Sequence, residues 1–300
     1  MAVFELEATE EDAGDRLDVV LCRHLLGVSR SVAKALVAEG VARVEGRAVK
    51  KSYVVRPGDR ISIDRLPGPR DFVAAPDPSF ELTVLKETEE YVVIEKAPGV
   101  PSHPLQAGEV GTVAGALVAR YPEMRDVGYS RREPGILHRL DTYTSGVMLA
   151  ARTPGSFERL RRELTGGQIE KRYLARCIGD VTAPRLLDLP IAGDPRDRRR
   201  VRVCRDPREA KRLDAKPART EILKSAPAPF GSLVELRANR ARRHQVRVHL
   251  AALGHPLLGD ALYGGPAEGS PGHHLLHASA IRVDGELIQS NPWKYGQFAS

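Results

Sequence analysis

Cysteine is scarce in this chain of 300 residues, and what little there is does not cluster. Cys22, Cys177 and Cys204 are far apart in the sequence and form no CxxC pair. An odd and scattered set of cysteines argues against a disulfide framework and favours a reducing compartment. The sequence therefore predicts a fold that does not depend on disulfide bonds.

Long apolar runs are also missing. No segment approaches the roughly 18 consecutive apolar residues that a membrane helix needs, and no internal repeat of solenoid period is visible. The N-terminal stretch MAVFELEATEEDAGD is acidic and lacks the apolar core of a secretory signal. We therefore expect a soluble, cytoplasmic protein that does not bind in a membrane.

Positive charge is in excess. Lysine and arginine number 46 against 39 acidic residues, which gives a net charge of +7. Such an excess favours a polyanionic partner, nucleic acid first and an acidic membrane surface second, although a merely basic protein without such a partner has the same composition. With 42% hydrophobic and 28% charged residues, the chain has the composition of a folded protein, and its length favours two domains.

One break in composition divides the sequence. Residues 66–79, LPGPRDFVAAPDPS, contain four prolines and no periodicity, which is typical of a linker. This predicts an N-terminal domain over residues 1–65 and a larger domain over residues 80–300. In the first domain the pattern predicts two helices, separated near Gly27 and Ser29, then a hairpin that turns at Glu45-Gly46 and a final strand after the turn PGD.

Six basic residues of the first domain are placed so that they could follow a phosphate backbone. Two of them are four apart and share a helix face, and the other four lie on the predicted hairpin or just after it. A solvated basic face would look the same in the sequence. The six residues are Arg30, Lys34, Arg43, Arg47, Lys50 and Lys51.

In the second domain predicted strands outnumber helices and often follow one another directly. Strand-like segments include FELTVLKE, YVVIEK, IEKRYLARCIGD and GSLVELRANR. SFERLRRELTGG has helical character, and RRHQVRVHLAALGHPLLGDALYGG is typical of a helix that continues into a glycine-rich loop. This order favours an α+β domain built on a mostly antiparallel sheet over a doubly wound fold.

A short segment, LHRLDTYTSGVMLAART, contains the candidate catalytic group. Its Asp141 lies between basic residues and a Thr-Ser-Gly turn, ahead of an apolar run. An ionised carboxylate in a tight turn can act as a nucleophile or stabilise a sugar cation. The same aspartate could equally be a turn or capping residue, and the tripeptide Arg-Leu-Asp also ends at Asp18 and Asp214.

The first domain resembles the S4 RNA-binding domain. The resemblance rests on GDRLDVVL, SRSVAKALVAEGVARVEGRAV and PGDRISI, and covers roughly residues 12–65. It implies that Asp18 is structural and that the six basic residues contact RNA.

The second domain resembles the RluA-type pseudouridine synthases over about residues 80–285. HRLDTYTSGVML is similar to the family signature, and three further motifs follow the family's order: EKAPGVPSHP, EKRYLA and ANRARRHQVRVHLAALGHPLLGDALYG with HHLLHAS after it. Joined to an S4-like domain, this layout is that of the members acting on large-subunit ribosomal RNA. The implied fold is α+β, with a small S4-like module followed by a mostly antiparallel-sheet catalytic domain.

The resemblance implies specific roles at five positions. Asp141 would be the nucleophile or electrostatic catalyst at the ribose C1′. Tyr173 would pack on the target base and take part in proton transfer, and Arg242 would form an ion pair with Asp141. His138 and Arg139 would shape the turn and meet backbone phosphate. The implied reaction isomerises uridine to pseudouridine, with RNA as the partner. The sequence itself carries no signal of oligomeric state, and a monomer is the default expectation.

No cofactor or metal is expected, because the reaction neither oxidises the substrate nor transfers a group out of it. His273 and His277 are four residues apart, and His244 and His249 are five apart, but neither pair has a glutamate or cysteine at zinc-site spacing. His249 and His277 are expected to support the structure.

Three residues depart from the resembled motifs. The family usually has a basic and then an acidic residue after the aspartate, where this chain has Thr142 and Tyr143, and it has a small hydroxyl residue where this chain has Arg243. Arg243 is expected to face phosphate or solvent. These departures keep two alternatives open: an RNA-binding or ribosome-assembly protein without catalysis, and a synthase acting on transfer RNA.

Overall fold

The computed structural model describes residues 4–25, 28, 30–64, 72–183 and 185–295, with only the backbone described at residues 30 and 31. The chain divides into two compact units, residues 1–70 and residues 71–300. Among the helices that the structure describes, none has the length and apolar character required to cross a membrane.

The first unit is a four-stranded antiparallel sheet with two helices. The strand order is β1-β4-β2-β3. Its elements are β1 (Phe4–Glu7), a 3₁₀ turn (Glu10–Asp12), α1 (Leu17–His24), α2 (Arg30–Ala38), β2 (Ala42–Val44), β3 (Arg47–Ala48) and β4 (Arg60–Ile63).

The predicted helices and hairpin of this unit are confirmed. Glu45 and Gly46 join β2 to β3 with φ values of 49° and 71°, and a two-residue hairpin of this kind needs a positive φ at both positions. Gly27 and Ser29, the predicted helix boundary, lie outside the described residues. Strand β1 was not predicted, and its apolar partners Ile61 and Ile63 on β4 are fully buried.

The second unit contains the remaining elements. They are β5 (Thr83–Glu87), β6 (Tyr91–Lys96), α3 (Val113–Arg120), a 3₁₀ helix (Pro122–Asp126), β7 (Ser145–Ala151), α4 (Pro154–Gly166), β8 (Glu170–Ile178), β9 (Arg185–Asp188), β10 (Ile191–Gly193), β11 (Val201–Val203), α5 (Pro207–Arg212), β12 (Arg219–Ala228), β13 (Gly231–Arg237), α6 (Gln245–Ala252), β14 (Leu276–Val283) and β15 (Glu286–Gln289).

A nine-stranded sheet forms the body of this unit. Its order is β5-β6-β7-β14-β8-β13-β12-β9, with β15 beside β14, and β10 and β11 form a separate pair. Within the part of the chain that the structure describes, β7 and β14 pair in parallel and the other neighbours are antiparallel. The predicted α+β class with a mostly antiparallel sheet is therefore confirmed.

Strand β7, which directly follows the Asp141 loop, is buried along its whole length. Met148 packs with α3 residues on one face of the sheet, and Leu149 packs with α4 residues on the other. A strand covered on both faces has a continuous apolar sequence and no polar alternation. This explains the run GVMLAA. The packing on both faces holds β7 in place and therefore anchors the C-terminal end of the Asp141 loop, which leads into this strand.

Residues 72–79, which the sequence assigns to the linker, belong to the second unit. Ala74 is fully buried in its core, and the Asp77 amide donates to the Gly115 carbonyl at 3.1 Å. A Cβ on Gly115 would lie 2.7 Å from the Ala75 carbonyl oxygen, so this segment packs closely on α3.

Candidate active site

A large basic cleft of about 1820 Å³ opens on the second unit, and Asp141 lines it. Nine lining residues are basic and three are acidic, so the cleft favours a polyanion. The basic ones are Arg139, Lys171, Arg199, Arg219, Arg237, Arg240, Arg242, Arg243 and Arg247, and the acidic ones are Asp141, Asp188 and Glu221.

Lys96 holds the loop that presents Asp141. Its side chain is completely buried, and its Nζ donates to the carbonyls of Ala97, Val100 and Thr142 at 2.9, 2.8 and 2.8 Å. Burial lowers the pKa of Lys96 to about 7, against the opposing attraction of the Asp141 charge. The lysine therefore ties the residue after Asp141 to the turn at residues 97–100.

Gly146 and its neighbours fix the other side of this loop. Ser145 and Gly146 pair with His277 and Ala278 on β14. A Cβ on Gly146, which has a φ of 108°, would lie 2.2 Å from the Ala278 carbonyl oxygen, so only glycine lets the strands approach this closely. The Thr144 amide also donates to the Asp141 carbonyl at 2.9 Å, which closes the turn around the aspartate.

Arg247 is the ion-pair partner of Asp141. Its Nη1 donates to Asp141 Oδ2 at 2.8 Å, while its Nε and Nη2 donate to the two oxygens of Asp260 at 2.7 and 2.8 Å. Burial would lower the pKa of Arg247, but the Asp260 hydrogen bonds and the Asp141 charge raise it overall. The arginine is 7% exposed, Asp260 is 1% exposed and Asp141 is 22% exposed. Asp141 and Arg247 therefore line the cleft, whereas Asp260 lies behind them in the interior.

The glycine-rich loop after α6 positions Asp260. A Cβ on Gly259, which has a φ of 78°, would lie 2.1 Å from the His273 carbonyl oxygen. This close approach brings the next residue, Asp260, within hydrogen-bonding distance of the Arg247 guanidinium. The turn is closed by the amides of Tyr263 and Gly265, which donate to the Asp260 carbonyl at 3.0 and 2.9 Å.

His244 is a second neighbour of the Asp141 carboxylate. Its Nε2 lies 3.7 Å from Asp141 Oδ1, and its Nδ1 lies 2.9 Å from the Tyr263 hydroxyl. Burial lowers the pKa of His244, although the Asp141 charge opposes the effect. At neutral pH the imidazole is therefore uncharged, and Arg247 is the cation that balances Asp141.

Tyr173 lies on β8 inside the cleft and is 4% exposed. Burial raises the pKa of its phenol, and the nearby Asp141 charge raises it further. The phenol therefore remains protonated at neutral pH and presents an uncharged ring beside the carboxylate. This arrangement suits packing against a base and does not provide an anionic base in the resting protein.

The predicted ion pair between Arg242 and Asp141 is wrong. Arg242 is exposed, and its Nε donates to the Pro217 carbonyl at 2.9 Å. It precedes α6, where the left-handed His244 at φ 55° redirects the chain. Arg247 lies within the helix, and helical side chains tilt towards the N-terminal end, which here is the end nearest Asp141. Arg242 still lines the cleft.

Arg243 does more than face solvent or phosphate. Its side chain is exposed, yet Nη2 donates to the carbonyls of Arg198 and Arg200, both at 3.0 Å. Arg200 in turn lies over the Tyr263 ring, 5.4 Å from its centroid. The residue that departs from the family motif thus ties a basic loop to the rim of the cleft.

His138 and Arg139 have different environments. His138 Nε2 accepts from the Leu149 amide at 3.2 Å, and burial together with the Lys171 charge lowers the pKa of the imidazole well below its usual value. An uncharged ring bonded to β7 supports the turn and attracts phosphate poorly. Arg139 is exposed at the cleft and donates to Glu133 at 2.9 Å, so it is the better placed of the two for phosphate.

In the first unit, five of the six basic residues proposed for RNA contact are exposed, and the side chain of Arg30 lies outside the described residues. Arg43 already forms a salt bridge within the protein, since its Nε lies 2.9 Å from Asp64 Oδ2. The other exposed residues are Lys34, Arg47, Lys50 and Lys51.

The other Arg-Leu-Asp aspartates do not lie at the cleft. Asp18 is buried in the first unit and accepts from Arg16 at 2.7 Å, whereas Asp214 is exposed and pairs with Lys216 at 2.6 Å. As predicted, His249 and His277 are buried and bonded within the fold, to Thr220 at 2.9 Å and to Ser145 at 2.8 Å. Across the described residues, no three histidine, cysteine or acidic side chains group as metal ligands would.

Sequence reasoning missed Arg247, His244 and Asp260 as parts of the site. Two signals were available for them. His244 and Arg247 are three apart, which places them on one face of the predicted helix, and Asp260 is a lone acid in an apolar, glycine-rich segment. Such an acid needs a buried cation as its partner.

Family models match both units of the chain. The model for RNA pseudouridylate synthase matches residues 90–252, and the S4 domain model matches residues 15–61. The first match spans more than half of the 300 residues and contains Asp141, Tyr173 and Arg247. The chain belongs to the RNA pseudouridylate synthase family, whose members are isomerases acting on uridine in RNA, and it carries an S4 domain. Both resemblances are confirmed.

Individual relatives agree with this assignment. The chain is 35% identical over 265 residues to an uncharacterised RNA pseudouridine synthase of Aquifex aeolicus, covering 87% of this chain and 79% of the relative. It is 32% identical over 253 residues to the ribosomal large subunit pseudouridine synthase D of Xanthomonas campestris, covering 84% of this chain and 72% of the relative.

Among solved structures, the human RNA pseudouridylate synthase domain containing 1 superposes with a TM-score of 0.53 at 24% identity, covering 72% of this chain and 84% of that one. The human RNA pseudouridylate synthase domain containing 4 gives a TM-score of 0.51 at 23% identity, covering 71% and 90%. These likenesses concern the fold.

Proposed function

We propose that this protein converts uridine in large-subunit ribosomal RNA to pseudouridine and that Asp141 is its catalytic carboxylate. The observation that carries the proposal is the Asp141 carboxylate in a basic cleft, held 2.8 Å from a buried arginine. A single charged carboxylate suits a reaction that breaks and re-forms a glycosidic link without net hydrolysis, because hydrolytic glycosidases use two carboxylates across the bond.

The reaction begins with extrusion of the target uridine from its stack into the cleft, at a cost of a few kcal/mol. The N1–C1′ bond breaks, and Asp141 either bonds to C1′ or stabilises its positive charge. The uracil then turns while bound, C5 bonds to C1′, the hydrogen at C5 leaves as a proton and N1 gains a proton. The atoms balance without an oxidant or a second substrate.

Arg247 and Tyr173 assist in different ways. Arg247 reaches Asp141 from the buried side, which leaves the other carboxylate oxygen directed towards His244 and the cleft. Tyr173 offers an uncharged ring for the uracil to pack against, since its raised pKa keeps the phenol protonated beside Asp141. A change of charge at either position would disturb the balance around the carboxylate.

Ribosomal RNA is proposed over transfer RNA on two grounds. The relatives from Xanthomonas campestris and Yersinia pestis bear the name ribosomal large subunit pseudouridine synthase D. The second ground is the S4 domain itself, because an S4 domain joined to a catalytic domain of this type is the layout of the resembled members that act on large-subunit ribosomal RNA. The exposed basic residues of this domain would supply affinity for RNA that is independent of sequence.

Pseudouridine mapping tests this proposal. Ribosomal and transfer RNA would be taken from cells of the same organism in which the gene is deleted, then incubated with the protein. We expect one or more uridines of large-subunit ribosomal RNA to be converted by the wild type and none by Asp141→Asn. Conversion confined to transfer RNA would overturn the substrate class, and conversion of neither RNA would favour a non-catalytic RNA-binding role.

A further inference from the structure

Tyr143 is the one exposed aromatic residue, among those that the structure describes, that also lines the Asp141 cleft. Its side chain is 48% exposed and lies two residues after Asp141. We propose that Tyr143 is a stacking site for an unpaired base of the RNA that neighbours the target uridine. This inference rests on the proposed function and assigns the cleft a second base-binding position.

One face of the Tyr143 ring is already packed against another ring of the protein. It stacks on His273, with ring centroids 4.8 Å apart and planes inclined by 15°. The next residues of the two segments are also joined, since Thr144 Oγ1 lies 2.9 Å from His274 Nε2 in the buried interior. Two successive contacts therefore fix the Tyr143 loop to the segment that carries His273.

The edge of the ring is supported as well. A Cβ on Gly99 would lie 3.9 Å from Tyr143 Cε1, so the ring rests near the backbone of this turn. The Gly99 amide donates to the Thr142 carbonyl at 2.9 Å, and Lys96 donates to the same carbonyl at 2.8 Å. Because these contacts preorganise the Tyr143 ring, it loses little conformational freedom when an RNA base stacks on its exposed side.

The surroundings favour a nucleic-acid base over an apolar protein segment. Arg139, Arg242 and Arg243 line the same cleft, and an aromatic ring among basic residues is the usual arrangement for single-stranded nucleic acid. Extruding a uridine unstacks its neighbours, so a neighbouring base needs a new stacking partner. Tyr143 lies close enough in sequence to Asp141 to provide it.

Binding of two oligomers by the full-length protein tests the inference. One is an oligouridylate, and the other is an abasic ribose-phosphate oligomer of equal length and charge. Base stacking on an aromatic residue predicts that Tyr143→Ala weakens oligouridylate binding by between about 5-fold and 100-fold, while binding of the abasic oligomer is unchanged. Tyr143→Phe should retain both affinities.

Tyr129→Ala is the matched control, because Tyr129 is an exposed tyrosine with its own ring contact, to Phe157, and is not placed in the cleft. It should bind both oligomers like the wild type. Photocrosslinking with 5-iodouridine in the oligouridylate should label Tyr143 directly.

Two results would overturn the inference: unchanged oligouridylate affinity in Tyr143→Ala, or an equal loss of affinity for both oligomers. Neither result bears on isomerisation, which is measured separately as pseudouridine formed by the wild type. The two proposals can also be separated in the opposite direction. If the wild type has no isomerase activity but Tyr143→Ala still loses base-dependent binding, the stacking site is supported and the proposed function is wrong.

Discussion

Arg247 Nη1 lies 2.8 Å from Asp141 Oδ2, and the two residues are 106 positions apart in the sequence. Asp260 binds the rest of the guanidinium from the interior. One arginine therefore joins the partly exposed carboxylate of the cleft to a buried one, and both partners of Asp141 in this row are held by the fold.

Replacing Arg247 with methionine should abolish most of the chemical step. The change leaves Asp141 and Asp260 without their shared cation, and the loss of a positioned charge commonly lowers kcat by roughly 100-fold or more. The free energy of unfolding should fall by about 3 kcal/mol or more, because a buried carboxylate loses its partner. Single-turnover rates at saturating RNA and denaturant titrations measure the two effects.

Arg242→Met is the matched control for that variant. Arg242 is exposed and bonds to the Pro217 carbonyl, so the chemical step should proceed at the wild-type rate, with some loss of RNA affinity. If Arg242→Met lost the chemical step while Arg247→Met kept it, the assignment of the ion pair would be reversed.

Asp260→Asn tests the positioning of Arg247. The neutral amide retains the shape of the carboxylate but removes its charge and one acceptor. We expect kcat to fall while RNA affinity is unchanged, because Asp260 is 1% exposed and acts through Arg247. A stability loss of about 3 kcal/mol should accompany it. A variant that lost RNA affinity at unchanged kcat would contradict this role.

Lys96 predicts a specific dependence of stability on pH. Its pKa is lowered to about 7, so between that pH and its ordinary value near 10.5 the unfolded chain binds a proton that the folded chain does not. The free energy of unfolding should therefore rise with pH through this window. In Lys96→Met the rise should be smaller, while the contribution of Lys171, whose pKa burial lowers to about 8, remains.

Denaturant titrations of the wild type and Lys96→Met at pH 7 and pH 9 measure this difference. Lys96→Met should also lower kcat, because three buried carbonyls lose their donor and the Asp141 loop loosens. Parallel stability curves for the two proteins would show that Lys96 keeps its proton throughout this range.

The S4 unit should contribute affinity through charge alone. Replacing Lys34, Arg47, Lys50 and Lys51 with glutamine removes four exposed cations. The slope of log affinity against log salt should become shallower by up to about 2.8, at roughly 0.7 per phosphate contact with single-stranded RNA. The single-turnover rate at saturating RNA should remain that of the wild type. An unchanged slope would show that this face does not contact RNA.

The sequence predicted the elements that rest on local pattern. The hairpin at Glu45-Gly46, the strands around Tyr173 and the helix that contains Arg247 all follow from turn residues and periodicity. The parallel pairing of β7 with β14 could not be predicted in this way, because its partners Ser145 and His277 are joined only by the tertiary fold.

The ion-pair partner of Asp141 was predicted to be Arg242 when it is Arg247, and the reason is similar. Adjacent residues point in different directions, so choosing among the arginines of one motif requires the position at which α6 begins. That position depends on the left-handed backbone of His244, which local pattern does not reveal. The role of Asp260 likewise depends on the close approach of Gly259 to the His273 backbone.

Release of tritium from RNA containing [5-³H]uridine tests the central claim most directly. The hydrogen at C5 must leave when C5 bonds to C1′, so each conversion releases one label. Large-subunit ribosomal RNA should release tritium with the wild type and with Asp214→Asn, whose exposed carboxylate pairs with Lys216 and does not line the cleft. Asp141→Asn should bind the RNA and release none, because its amide cannot act as an anionic nucleophile or stabiliser. Release at the wild-type rate by Asp141→Asn would contradict the account.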